Sequence, residues 1–423
     1  MNKQLNHLIT KITAEEIKDS RGNPTIKVTV FACPSEVLTK VGVDDVSGSF
    51  SVPSGASAGI HEAHELKDED GKGVKKAIDK VNKIIAPVLV GQNVLNQKEI
   101  DRIMLELDGT PNKDNLGGNS MIGVSIACAK VAAKVSGKEI FEYLRILAEI
   151  KPSRKIPYLF MNLLEGGKHT NNHLAFQEYH IVLDTEDIAE AVDIGIKIQN
   201  TLKKIIIRDL GEDSVVLGDE GGLAPKISDI RKPFLYLSEA IRQNNLQDKV
   251  RLALDVAASS FYNDGKYRVA GKDISEEELM SIYDYLVKEF NLFFVEDPFD
   301  EEDFDSFRKL KEKNKGLLVV GDDLTVTNVL LLKKAIENGS INAMIIKPNQ
   351  IGTLTETLET MKLARENDIE LIVSHRSGET DDDFVADLAY AFNCFGLKAG
   401  SPQKAERMVK YKRLIQITNL SLA

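Results

Sequence analysis

The stretch Ala343-Met344-Ile345-Ile346-Lys347 constrains the fold more than any other. Four apolar residues run without polar alternation into a lysine, and the loop Pro348-Asn349-Gln350-Ile351-Gly352 follows. Such a run suits a strand buried on both faces, as in a parallel sheet covered by helices. A lysine is costly to bury, so one at a strand end either snorkels to solvent or serves a site. The figure recurs. Arg251–Leu254 ends in Asp255, Phe293–Val295 in Glu296-Asp297, and Leu317–Gly321 in Asp322-Asp323. Leu371–Val373 ends in Ser374-His375-Arg376, and Phe395–Leu397 in Lys398. From Glu296 the steps to Asp322, Lys347, His375 and Lys398 are 26, 25, 28 and 23 residues, and Asp255 precedes Glu296 by 41. Steps of this length are βα units. They predict an α/β chain with a C-terminal (β/α)8 barrel of the TIM type, in which the strand ends converge on one mouth and carry the active site.

At 423 residues the chain exceeds one ordinary domain. A barrel takes about 250 residues, which leaves room for a second unit. The net charge of -11 offers no basic excess to neutralise phosphates, which argues against a nucleic-acid partner. Cys33, Cys128 and Cys394 are widely spaced with no CxxC pair, so a reducing, cytoplasmic setting is expected rather than a disulfide framework or a zinc site. No N-terminal apolar segment and no run of about 18 apolar residues is present, so no membrane partner is expected.

The turn-rich Asp19-Ser20-Arg21-Gly22-Asn23-Pro24 leads into Thr25–Val30, where Ile26, Val28 and Val30 alternate with Lys27 and Thr29. That is a half-buried strand of an antiparallel sheet. Two more short strands are expected between Val37 and Val52, then a loop of small residues, Pro53–Gly59. Helical spacing covers roughly 74–90, 97–107 and 120–135, the last opening on Asn119 as N-cap and closing at Gly137. Strands followed by helices make an α+β unit. This places an N-terminal α+β domain at 1–140 and the barrel at 141–423. The barrel is expected to open with Ile156–Phe160 and continue through Phe176–Leu183, followed by a helix over 186–208. Later helices near 275–290, 301–313, 328–338, 353–367 and 382–394 alternate with the strands.

Asp255, Glu296 and Asp322 place three carboxylates at successive strand ends, a set of hard oxygen ligands suited to Mg²⁺. The alternative for each is an ion pair across the mouth. Asp297 and Asp323 are expected to be structural partners. Lys347 and Lys398 stand on the far side. A lysine beside a metal and a second lysine has its ammonium disfavoured, which lowers its pKa and makes a base. A Schiff base is the competing use, but it needs no metal. The loop Leu217–Pro225 frames Glu220 with glycines, as a general acid if burial raises its pKa. Glu165-Gly166-Gly167-Lys168-His169 and Gln177-Glu178 are further polar segments. His375-Arg376-Ser377 offers a guanidinium and a hydroxyl for an anion, or else a structural ion pair.

Taken together, DSRGNPT (19–25), VPSGASAG (52–59), EGGKH (165–169), GDEGGLAP (218–225), LALDVAASSF (252–261), VEDPFDEEDF (295–304), GDDLTVTN (321–328), IKPNQIGT (346–353) and SHRSGET (374–380) resemble the enolase family, with an archaeal flavour. The resemblance implies a barrel that begins ββαα before (βα)6. It implies conversion of 2-phosphoglycerate to phosphoenolpyruvate and water, with Lys347 as base, Glu220 as acid supported by Glu178, and His375 among the catalytic residues. Asp255, Glu296 and Asp322 would hold one Mg²⁺, and Ser57 would help hold a second, substrate-dependent one. Arg376 and Ser377 would bind the phosphate, and Lys398, His169 and Gln177 would complete the substrate site. Enolase-superfamily sites pair a Lys or His base with one or two Mg²⁺ ions, so this is the pattern of the group and not a deduction from spacing. The resemblance also implies a homo-oligomer, a dimer or an octamer. Ala58, Glu165 and Ser260 depart from the family's usual Thr, Asn and Glu. The alternatives are another superfamily lyase or racemase acting on a non-phosphorylated acid, and a non-catalytic surface-binding role.

Overall fold

The computed structural model describes residues 6–34, 45–55, 59–69, 71–167 and 174–420. Strands β1 (His7–Lys18), β2 (Pro24–Pro34) and β3 (Val46–Ser51) form an antiparallel sheet in that order. Ile26, Val28 and Val30 are fully buried, as their alternation predicts, and pack towards the helix Gly118–Val135. Of the two short strands expected between Val37 and Val52, β3 is one. Residues 35–44 lie outside the described residues. The helix starts after Gly117 (φ 87), not at Asn119. Asn119 instead brackets an extended segment, accepting from the Leu66 amide at 3.1 Å and donating to the Leu66 carbonyl at 3.1 Å. A side chain that mimics a strand partner is lost to capping, and the glycine's left-handed backbone makes the entry turn.

The barrel follows: β4 (Tyr158–Glu165), β5 (Glu178–Leu183), β6 (Val250–Asp255), then a small outlying sheet β7 (Tyr262–Asn263), β8 (Lys266–Val269) and β9 (Lys272–Ile274). It resumes with β10 (Phe294–Glu296), β11 (Leu318–Gly321), β12 (Ala343–Ile346), β13 (Glu370–Ser374) and β14 (Gly396–Lys398). Closure runs β10-β11-β12-β13-β14-β4-β5-β6. Only β5 opposes its neighbours: β4–β5 and β5–β6 are antiparallel, and the remaining pairs are parallel.

The unbroken apolar run of β12 now has a physical account. Ala343 and Ile345 point into the barrel beside Phe160, Phe294, Val320 and Ile372, whereas Met344 and Ile346 join the core under the helices. Side chains alternate with period two, so Lys347 continues the inward row beyond Ile345. By the same parity Asp255 follows inward Ala253, Glu296 follows Phe294, and Asp322 follows Val320. The mouth is lined by the next inward residue of each strand.

The N-terminal sheet is tied to this mouth. Asp19 folds its own turn, accepting from the Arg21 and Asn23 amides at 2.9 and 2.8 Å. Ser54 and Gly378 exchange backbone hydrogen bonds of 2.8 and 2.9 Å, and Ser20 donates its amide to the Glu379 carbonyl at 2.7 Å. Farther out, Arg413 on the helix Ala405–Leu420 joins Asp387 and Glu139, 2.8 and 2.7 Å away. Burial pushes the Asp387 carboxyl from 3.8 up to about 6 despite Arg413. The folded state therefore holds this proton more tightly than the unfolded chain, and stability falls as pH rises from about 4 to 6. Asp387→Asn is expected to remove that decline, worth about 3 kcal/mol at most, in denaturant titrations across this range; an unchanged pH slope would refute it.

Candidate active site

Nine predicted site residues line one pocket at the C-terminal mouth: Gln177, Glu178, Glu220, Asp255, Lys347, His375, Arg376, Ser377 and Lys398. Glu296 and Asp322 sit beside it, in contact with the two lysines. Ser57 and His169 lie outside the described residues. A wider groove of about 910 Å³, lined by Leu95, Val135, Tyr143 and Ile146, lies on the N-terminal unit and contains none of the strand-end residues.

Glu178 reaches the mouth from the N-terminal end of β5, because that strand runs backwards. Its Cα pairs in register with Asp255 on one side and Glu165 on the other. In the closure order β5 and β12 lie four strands apart in an eight-stranded ring, so Glu178 and Lys347 stand across the mouth from each other.

Lys398 is the electrostatic hub. Its ammonium lies 2.8 Å from Asp255 Oδ2, 3.0 Å from Glu296 Oε1 and 3.0 Å from Glu178 Oε2. Burial opposes this charge, but Asp255, Glu178 and Glu296 together hold its pKa well above the ordinary lysine value. The carboxylates feel the converse. Glu296 is raised by burial and by Asp255, and Asp255 by burial against the pull of Lys398. Lys347 is ion-paired with Asp322. The expected lowering rests on a neighbouring metal ion; among the protein's own groups, burial disfavours the ammonium, but Asp322 reverses the balance and the Lys347 pKa stands above its ordinary value. The same contact holds Asp322 below the usual carboxylate range although burial acts the other way. Nearby Arg376 and Lys398 push Lys347 towards the neutral amine, but they do not outweigh a touching carboxylate.

Asp255, Glu296 and Asp322 fit a hard divalent cation. They offer oxygen donors from three adjacent strands, are buried, and meet two ammonium groups in place of water. Among the described residues, ligand atoms of Asp297, Asp322 and Asp323 lie within 4.8 Å of one another. Asp297 is committed elsewhere, accepting from the Asp322 and Asp323 amides at 2.9 and 2.8 Å. It shapes the turn. A further group is Glu178, His180 and Asp255, in which Glu178 and Asp255 touch Lys398 as Glu296 does.

The loop carrying Glu220 is fixed from several directions. Glu165, fully buried at the end of β4, accepts from the Glu220 amide at 3.2 Å and from the Gly222 amide. The sequence reading gave Glu165 no such role. Asn162 Nδ2 donates to Glu220 Oε2 at 3.3 Å, and His375 Nε2 lies 3.2 Å from the same oxygen. Gly218 lets the loop approach, since a Cβ there would fall on the Glu165 carboxylate. Gly218→Ala is expected to cost about 1–3 kcal/mol through this overlap and to lower turnover by displacing Glu220. Thermal melting with initial rates checks both, and an unaltered rate would refute the contact's importance.

Arg376 is clasped by Glu62, with Nη1–Oε2 at 2.9 Å and Nη2–Oε1 at 3.0 Å, and donates to Asn349 Oδ1 at 3.0 Å. A guanidinium that holds a planar anion in a two-pronged grip is suited to phosphate as well. Among the described residues, Ser377 Oγ and Gln177 Oε1 are buried without a hydrogen-bond partner. Orphaned polar atoms on a pocket wall indicate a polar ligand.

Family models match most of the chain: "Enolase, N-terminal domain" matches residues 9–144 and "Enolase, C-terminal TIM barrel domain" residues 153–421. Curated relatives named Enolase include those of Methanococcus aeolicus (44% identical) and Methanocaldococcus jannaschii (44%), each match covering 97% of this chain and 94% of the relative. The enolase of Sulfurisphaera tokodaii is 42% identical over 97% of this chain and 95% of its own length. With an eight-stranded barrel whose second strand is reversed, and with acids and lysines meeting at its mouth, the chain belongs to the enolase family.

Proposed function

We propose that this chain catalyses the Mg²⁺-dependent, reversible dehydration of 2-phosphoglycerate to phosphoenolpyruvate, as a carbon–oxygen hydro-lyase. The observation that carries the reading is one pocket with Lys347 on one side, Glu178 and Glu220 on the other, and the Arg376–Ser377 anion clamp at its edge. Arg376 and Ser377 bind the phosphate, with Arg376 exchanging Glu62 for it. Gln177, Lys398 and His169 orient the rest of the substrate. Lys347 Nζ removes the C2 proton, which is barely acidic beside an ionised carboxylate. Glu220 gives a proton to the C3 hydroxyl as it leaves, and Glu178 supports that acid from the start of β5. His375 holds Glu220 Oε2. Asp255, Glu296 and Asp322 would hold one Mg²⁺, and Ser57 would contribute to a second. When bound, Mg²⁺ supplies the positive charge that stabilises the extra negative charge on the substrate carboxylate as C2 loses its proton. The cations Arg376 and Lys398 favour the neutral form of Lys347, the direction a base requires.

A phosphate clamp with an orphaned serine hydroxyl favours this substrate over a non-phosphorylated acid. Buried Cys33, Cys128 and Cys394 suit the reducing cytoplasm, where we place a dimeric or octameric enzyme. No single helix among the described residues is long and apolar enough to cross a membrane. The test is ultraviolet absorbance of phosphoenolpyruvate formed from 2-phosphoglycerate, with Mg²⁺ and with EDTA. A rise seen only with metal is expected, and its absence from folded, metal-loaded protein would overturn the reading.

A further inference from the structure

Arg407, on the helix Ala405–Leu420, is fully buried yet belongs to no part of the pocket wall. Its Nη1 lies 2.6 Å from His375 Nδ1 and donates to the Arg376 carbonyl at 2.5 Å. Its Nη2 donates to the Ser377 carbonyl at 2.6 Å and to the Asp219 carbonyl at 3.4 Å. One guanidinium thus joins the loop after β13 to the loop that carries Glu220. The packing is close: a Cβ at Gly400 would lie 2.9 Å from His375 Cε1 and 3.1 Å from Arg407 Cδ.

The chemistry of the contact has one solution. A guanidinium has donors only and keeps its protons in proteins, so His375 Nδ1 must accept. The neutral ring then carries its hydrogen on Nε2, 3.2 Å from Glu220 Oε2. Asn162 Nδ2 approaches that oxygen too, at 3.3 Å. An N–H, not a lone pair, is then what His375 presents beside the Glu220 carboxylate.

We propose that Arg407 is a positioning residue for the acid step, holding His375 in the Nε2–H tautomer and thereby keeping an N–H beside the Glu220 carboxylate. The proposal rests on Glu220 being the acid. A role confined to folding would affect every step alike, whereas this role spares the step performed by Lys347 across the mouth.

The test uses full-length Arg407→Met and Arg407→Lys with Mg²⁺. Long-range ¹⁵N–¹H correlation of the imidazole nitrogens reports the tautomer; the chain has 7 histidines, and His375→Gln assigns the signal. In parallel, dehydration of 2-phosphoglycerate is compared with exchange of its C2 proton into deuterated water. Wild type is expected to show the Nε2–H form. Arg407→Met is expected to mix tautomers and to lower kcat for dehydration about 10²-fold, the lower end of what a positioned acid contributes. C2 exchange at saturating substrate is expected to stay within about threefold, and Arg407→Lys to fall between. An unchanged tautomer, undiminished dehydration, or equal losses of dehydration and exchange would overturn the proposal. If Arg407→Met does not fold, Arg407→Lys carries the same readouts. If wild type forms no phosphoenolpyruvate, the enolase reading fails by itself, while the spectra still decide the Arg407–His375 contact.

Discussion

Lys347→Ala is expected to lower phosphoenolpyruvate formation by about 10⁴-fold, the upper end of what a positioned base contributes, and to abolish exchange of the C2 proton with solvent. Both losses are needed. Lys347 follows Ile345 on the inward row of β12, so its amine projects into the mouth, and truncation leaves no side-chain base at that position. Glu220→Gln supplies the contrast. It removes the acid from the other side of the pocket, so dehydration is expected to fall by about 10²–10⁴ while C2 exchange persists. Asp322 loses an ion-pair partner in Lys347→Ala but keeps the Gln350 Nε2 donor at 2.9 Å, so a melting curve should confirm a folded variant. If the folded alanine variant exchanges its C2 proton at the wild-type rate, another group is the base.

The second large effect concerns stability. Lys398→Met is expected to destabilise the metal-free protein by about 3–5 kcal/mol, the usual consequence of removing one partner from a buried ion pair. Asp255, Glu296 and Glu178 are each almost completely inaccessible to solvent and share this ammonium. Without it, charges too close to coexist must take up protons or draw in water. On the proposed reading, Mg²⁺ would bind Asp255, Glu296 and Asp322 only as the fold arranges them, so adding it is expected to recover part of the loss. Chemical denaturation of both proteins, in EDTA and in Mg²⁺, checks this. Equal stability in EDTA would mean that the acids are already neutral and that the lysine contributes no net electrostatic stabilisation.

Much of the barrel was legible because burial on both faces demands unbroken apolar runs, and a βα repeat demands regular spacing. β12 shows how far this goes. Its run, its end and its terminal lysine were all readable, and side-chain parity then directs Lys347 inward without reference to any neighbour. Asp255, Glu296, Asp322 and Lys398 were legible on the same grounds. Asn119 was misread because an asparagine ahead of an apolar helix looks like a cap, while its actual partner, Leu66, is 53 residues away. The helix Ala405–Leu420 went unread: its apolar face is interrupted by Arg407 and Lys410, both fully buried.

The sequence by itself determined the fold class, the strand ends that carry chemistry, and the residue types gathered there. These follow from local periodicity and from the cost of burying charge. Tertiary structure alone decided what each charge touches. It brought Glu178 to the mouth by reversing β5, set Lys347 against Asp322 so that its pKa rises, and turned Glu165 into an anchor for the Glu220 loop. It also placed Arg407 behind His375. The physical reason is range. Strand periodicity is set by neighbours two residues apart, whereas a pKa or a tautomer is set by groups within a few ångströms in space, and the chain brings those together from 25 to 314 positions away.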